Sequence, residues 1–227
     1  METLTDIPFE LDARPLMAEA HVDPDSRHGA ELQALVDLAA EIARPKAAYM
    51  EAFIGDRGED TVLIGDATFT SRALVRNLVS TERVFPHVAT CGHELDEAAP
   101  ENGEMLAEFW WDQIKGRLLN AADRYLREHL HRRYRLAKTA LMRPGAAEVE
   151  VWPIQQQGPL FALLGDVKEE VGVTLTPSFL MIPNKSVSGV LFPTETDFRS
   201  CEVCRREVCP SRSAFFSEEL WAELQHD

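Results

Sequence analysis

The chain has 227 residues, 45% of them apolar, and 38 acidic against 23 basic side chains give it a formal charge of −15. That length and composition suit one packed globular domain, and the charge repels nucleic-acid phosphates and anionic membrane surfaces at long range. No apolar run approaches the roughly 20 residues of a bilayer span, and Met1-Glu2-Thr3-Leu4-Thr5-Asp6 lacks the basic and apolar regions of a signal peptide, so a cytoplasmic protein that meets neither nucleic acid nor membrane is expected.

Residues 1–27 are rich in Pro, Asp and Glu and carry little periodicity, which predicts an arm with at most one short strand around Ile7–Leu11. From Gly29 onward, Leu32, Leu35, Val36, Leu38, Ala39 and Ile42 recur at helical spacing, and Arg44-Pro45 ends that helix because proline denies it the next amide. A second helical stretch is read through Tyr49 and Phe53, stopping at Gly55. The apolar run Thr61–Gly65 reads as a strand, with Asp66 and Thr68 as candidate caps of a helix carrying Leu74, Val75, Leu78 and Val79.

Arg83–Thr90 alternates as another strand, and Cys91-Gly92-His93 turns the chain into a short helix around Glu94–Ala98. A long helix follows, with Leu106, Phe109, Trp110, Ile114, Leu118, Ala122, Leu126 and Leu130 in one apolar stripe. Its basic end, His129–Arg135, complements the helix dipole. After the turn at Arg143-Pro144-Gly145, Trp152-Pro153-Ile154 opens a loop and Pro159–Leu164 reads as a short helix. Thr174–Thr176, Phe179–Ile182 and Val187–Phe192 then read as strands. Helices in the middle and strands in the last third predict an α+β fold. The division expected is an arm over 1–27, an α+β domain over 28–198, and a cysteine cluster with a C-terminal helix over 199–227.

Three of the four cysteines fall in Cys201-x2-Cys204-x4-Cys209. Two thiolates on one tight turn can ligate a single ion and a third follows within reach, a pattern of metal ligation more than of disulfides in a reducing compartment. Cys91, beside His93, is the remaining cysteine and the candidate fourth ligand. Zinc would make a structural staple and an iron–sulfur cluster an electron carrier. The alternative is a reduced, partly buried loop, with Cys91 a small core residue. His87 and His93 flank Cys91 and read more simply as hydrogen-bonded structural groups than as ligands.

The sequence from Leu163-Leu164 through Gly172-Val173-Thr174-Leu175-Thr176-Pro177-Ser178-Phe179-Leu180-Met181 to Pro183-Asn184-Lys185-Ser186-Val187-Ser188-Gly189 resembles the activation domain of vitamin B12-dependent methionine synthase. That family reads Leu-Leu, a short helix, Gly-x-x-Leu-Thr-x-Ser-Phe-x-Met, then Pro-x-x-Ser-Val-Ser-Gly. The likeness is dense from Arg143 to Gly189 and more diffuse over the long helix and the N-terminal half.

The resemblance implies a curved, mainly antiparallel sheet flanked by helices, with one long central helix. It implies a groove for S-adenosylmethionine and a face that docks over cobalamin, so that inactive cobalt can be reduced and remethylated. No cobalamin-binding Asp-x-His-x-x-Gly segment is present. The chain would therefore be an activation component in methionine biosynthesis, rather than a complete methyltransferase. Its partners would be a corrinoid-binding methyltransferase or methionine synthase and a reductant protein.

Arg143, Pro144 and Gly145 correspond to the family's nucleoside loop, Arg-x-x-Pro-Gly-Tyr. Here it runs Leu141-Met142-Arg143-Pro144-Gly145-Ala146, with the arginine shifted and the tyrosine replaced. An acidic ligand on the family's long helix falls at Asn120. Trp152 or Gln155-Gln156-Gln157 are candidates to line an altered groove. Pro183, Lys185, Ser186 and Ser188 fall in the corrinoid-facing turn, where the serines can bond either a corrin amide or a neighbouring strand. Two further functions compete with the reactivation partner. One is an iron–sulfur or zinc module that serves a corrinoid protein without S-adenosylmethionine, and the other is a zinc-stapled interaction protein.

Overall fold

The computed structural model describes residues 1–100, 105–146, 151–196, 198–209 and 212–225. The chain opens with strand β1 (Glu2–Leu4) and helix α1 (Ala13–Glu19), followed by α2 (Arg27–Ile42), β2 (Lys46–Tyr49) and β3 (Ala52–Arg57). The strand expected at Ile7–Leu11 lies instead at Glu2–Leu4, and Ile7 is buried under the sheet. Ser26 starts α2 by accepting a hydrogen bond from the Gly29 amide; of the apolar stripe read in the sequence, Leu32, Val36 and Ala39 form the buried face, while Leu38 is exposed.

The stretch through Tyr49 and Phe53 is extended rather than helical. Its alanines at 47, 48 and 52 are good helix formers, but pairing across a central strand overrides that local preference. A hairpin of β4 (Thr61–Ile64) and β5 (Ala67–Thr70) comes next, so Thr68 is a strand residue. The cap of α3 (Arg72–Asn77) is Ser71, whose hydroxyl accepts from the Leu74 amide.

The centre of the sheet is β6 (Arg83–Thr90). One of its edges pairs with β2 and then β3, and the other pairs along its length with β10 (Ser186–Pro193), whose outer edge takes β7 (Thr139–Met142). All of these ladders are antiparallel. Phe85 and Ala89 point to one face of β6, and Val84 and Val88 to the other. Both faces are covered, which is why seven consecutive residues from Val84 to Thr90 are buried.

Over the first face runs α5 (Met105–Tyr134), the long helix predicted from its stripe. Its first half packs Trp110, Trp111, Ile114 and Leu118 against α1, α2 and α4 (Glu94–Glu97), and its second half lays Ala122, Leu126 and Leu130 on the sheet. On the second face lie α3, α6 (Gln157–Leu164) and α7 (Val167–Val171), sealing a core that includes Phe69, Leu74, Leu160 and Trp152. A two-stranded ribbon, β8 (Thr174–Leu175) with β9 (Met181–Ile182), precedes β10, and α8 (Glu218–Gln225) ends the described chain. The architecture is α+β, as the sequence predicts. No helix among the described residues is long and apolar enough to cross a membrane.

Candidate functional site

β6 brings His87 beneath α5, fully buried, where its Nδ1–H donates to the Phe85 carbonyl at 3.0 Å. Directly opposite on β10 is Gly189. A Cβ there would lie 2.5 Å from the Met142 carbonyl oxygen and 2.9 Å from Arg143 Cγ, so only glycine lets the chain leaving β7 pass this close. Arg143 uses that room. Its guanidinium donates to Asp123 Oδ1 at 2.8 Å, while Arg127, one turn further along α5, pairs with Asp123 Oδ2 at 3.1 Å.

The electrostatics follow from this packing. Burial lowers the His87 imidazole to about 4, the Phe85 carbonyl opposes this, and Arg143 pushes it further down. Burial alone would raise the Asp123 carboxyl, but the guanidiniums of Arg143 and Arg127 outweigh it and hold the group below its ordinary value. A neutral histidine thus lies beside an ionised, doubly paired aspartate. His87 Nε2, without a proton, is buried and has no hydrogen-bond partner.

Beyond Arg143 the chain turns at Pro144-Gly145. Gly145 takes φ +76°, its amide donates to the Trp152 carbonyl at 2.9 Å, and the Ala146 amide returns to the Arg143 carbonyl at 3.2 Å. This turn, the second half of α5, β7 and the C-terminal segment enclose a cavity of about 530 Å³. Arg127, Lys138, Arg143, Arg199, Arg206 and Arg212 supply positive charge to its wall, and Cys201, Cys204 and Cys209 line it too. No Asp or Glu is among the described residues of that wall.

One side chain shapes the cysteine segment. Arg212 donates to the carbonyls of Cys201 and Ala214 through one terminal nitrogen and to those of Cys204 and Arg206 through the other. A short 3-10 turn, Ser200–Val203, carries Cys201, whose sulfur receives the Ser213 amide at 3.4 Å and hydroxyl at 3.5 Å. Burial raises the Cys201 thiol, and these hydrogen bonds with Arg212 more than reverse it, leaving the thiol below its ordinary value.

Of the residues singled out in the sequence, Arg143 and Ala146 reach the cavity wall, with Pro144 and Gly145 forming the turn between them. Trp152 does not: at 1% exposure it is a core residue, set edge-on against Phe69. Gln156 caps the Thr70 amide, and Gln157 accepts from Ser188 inside the fold. Asn120 is exposed, and the acid that meets Arg143 is Asp123, one turn on. An Asp followed four residues later by Arg on a predicted helix is its signal in the sequence.

At the other end of β10, Ser186 donates to Thr90 Oγ1 across the ladder at 2.9 Å, so both serines bond within the fold. Pro183 is buried, its bond to Ile182 cis, and Lys185 pairs with Asp112 of α5 at 2.8 Å.

The expectation for Cys91 is corrected. It lies in the core between α2, α4 and α5, its thiol donates to the Gly92 carbonyl, and burial pushes the thiol up to about 12. It is not on the wall that carries the other three cysteines. Among the described residues, no group of three or more His, Cys, Asp or Glu is gathered to hold a metal ion.

The fold is similar to a solved structure described as the MetH reactivation domain bound to AdoHcy, with a TM-score of 0.59 and 18% identity, over 82% of this chain and 71% of that one. At that identity the likeness shows the fold. A scan against protein-family models finds no match, and a search of curated proteins finds none either.

Proposed function

We propose that this chain serves the reactivation of a cobalamin-dependent methionine synthase or related corrinoid methyltransferase, binding S-adenosylmethionine in the cavity beside Arg143–Ala146. The observation that carries this reading is the coincidence of that cavity with the Arg143-Pro144-Gly145 turn, in a fold like that of an AdoHcy-bound reactivation domain. The guanidiniums of the wall suit the carboxylate of an amino-acid tail, since charge-assisted hydrogen bonds are roughly twice as strong as neutral ones. Asp123 holds Arg143 in place for that contact.

Docking on the corrinoid partner is assigned to the Ile182–Lys185 turn. There Leu180 and Ile182 are exposed beside Lys185, an apolar surface with a polar rim of the kind that protein interfaces use. In this reading the chain's own residues orient the nucleoside and exclude water around it. The electron and the cobalt belong to partner proteins.

The test is a titration of S-adenosylhomocysteine against thermal unfolding. A ligand that binds only the folded state at a hundredfold excess over its Kd stabilises it by about 2.7 kcal/mol. An unchanged melting temperature at millimolar ligand would remove the nucleoside from the reading.

A further inference from the structure

We propose that the cavity holds an iron–sulfur cluster ligated by Cys201, Cys204 and Cys209. Three observations carry the inference, and none depends on nucleoside binding.

The first is placement. All three cysteines line one cavity of about 530 Å³, and the Arg212 clasp on the carbonyls of Cys201 and Cys204 holds their loop. The second is spacing. Cys201-x2-Cys204-x4-Cys209 sets three cysteines within nine residues of chain, so one loop can present them to the irons of a single cluster.

The third is charge. In a chain of net charge −15, six cationic side chains meet on this wall without a described Asp or Glu among them. Asp123, behind the wall, offsets part of the charge of Arg127 and Arg143. Arg212 meets only carbonyl oxygens among its described partners, and its Nε is buried without one. Three thiolates with their irons and sulfides form an anionic group, and this wall is built to receive one. The Ser213 amide and hydroxyl on the Cys201 sulfur are bonds of the kind that tune such centres.

The experiment is anaerobic reconstitution of the whole chain with ferric and ferrous iron in equal amounts and sulfide, followed by desalting, metal and sulfide analysis and absorption spectroscopy. Iron and acid-labile sulfide retained in equal amounts, with a visible band bleached by dithionite, are expected. Cys204→Ser and Cys209→Ser should lose both, and Cys91→Ala should keep them. Zinc bound in preference, iron washed off the wild type, or iron content unchanged in the Cys204→Ser/Cys209→Ser double variant would each overturn the proposal. The wild-type result stands even where a variant fails to fold. A chain that binds the cluster but not S-adenosylhomocysteine would sink the nucleoside reading and leave this one intact.

Discussion

His87 and Gly189 face each other across the β6–β10 ladder, and the side chain that Gly189 lacks is what lets Arg143 pass over the strand towards Asp123. A histidine on one strand and a hydrogen atom on its neighbour thus place the first cation of the cavity wall.

Gly189→Ala tests that relationship. Its Cβ would press on the Met142 carbonyl at 2.5 Å, and backbone gives way less easily than a side-chain tip. The expected loss is about 1–3 kcal/mol of stability, the usual cost of overpacking. A lowered melting temperature, with reduced protection by any ligand that uses Arg143, is the outcome to look for. A variant with wild-type melting would show that β7 and β10 have slack that this close approach denies.

Acid should destabilise the protein in a window set by His87. The unfolded chain takes up that proton near the ordinary value of 6.5 and the folded one only near 4. The unfolded state therefore binds more protons between those values, and stability falls as pH drops through them. Asp123, whose folded value lies below its ordinary one, adds a loss at still lower pH. The His87 contribution is about 3 kcal/mol across its window, because one proton's difference in binding changes stability by roughly 1.4 kcal/mol for every pH unit crossed. Urea unfolding at pH 7 and pH 4.5, compared between wild type and His87→Asn, measures it. Equal pH dependence in the two proteins would contradict the assignment.

Arg143→Ala should abolish or sharply weaken protection by S-adenosylhomocysteine, because a hydrogen bond to a charged group contributes about 1.5–3 kcal/mol, or ten- to a hundredfold in affinity. Asp123 keeps Arg127 as a partner, so folding should survive with a loss of about 1–2 kcal/mol. Lys168→Ala, at an exposed position of α7, serves as the control. Equal protection of both variants would move the ligand elsewhere.

Ala146 is exposed on the cavity wall, where the resembling family has a tyrosine. Ala146→Tyr should raise affinity for S-adenosylhomocysteine by roughly tenfold through one added aromatic face. Calorimetric titration reads the change directly. No gain would mean that this groove holds its ligand differently.

Periodicity makes most of this architecture legible. The stripe of α5 and the alternation of Arg83–Thr90 are long enough for the helical and extended periods to be told apart, and both elements form where their patterns place them. Tyr49–Phe53 reads as helix because a few residues rich in alanine carry too little signal, and β2 and β3 are strands only because β6 offers them an edge to pair with. In the site, the Pro144-Gly145 turn is visible as a motif. Asp123 carries only the weaker signal of Arg127 four residues on, and choosing it over Asn120 requires knowing which side of α5 meets β7. Trp152 reads as a groove residue because a large aromatic after a turn can serve either core or ligand, and burial decides between them only once the chain is folded.

The long helix has a mechanical consequence. Asp112, which pairs with Lys185 in the turn after the cis proline, and Asp123, which anchors Arg143, are carried on the same α5. Eleven residues at about 1.5 Å each put them roughly 16 Å apart along a continuous hydrogen-bonded rod. On the proposed reading, the turn that carries Lys185 and the cavity wall that carries Arg143 are both tied to this one rigid element. The two faces of the molecule thus share a single axle, and neither can be repositioned on the sheet without regard to the other's anchor.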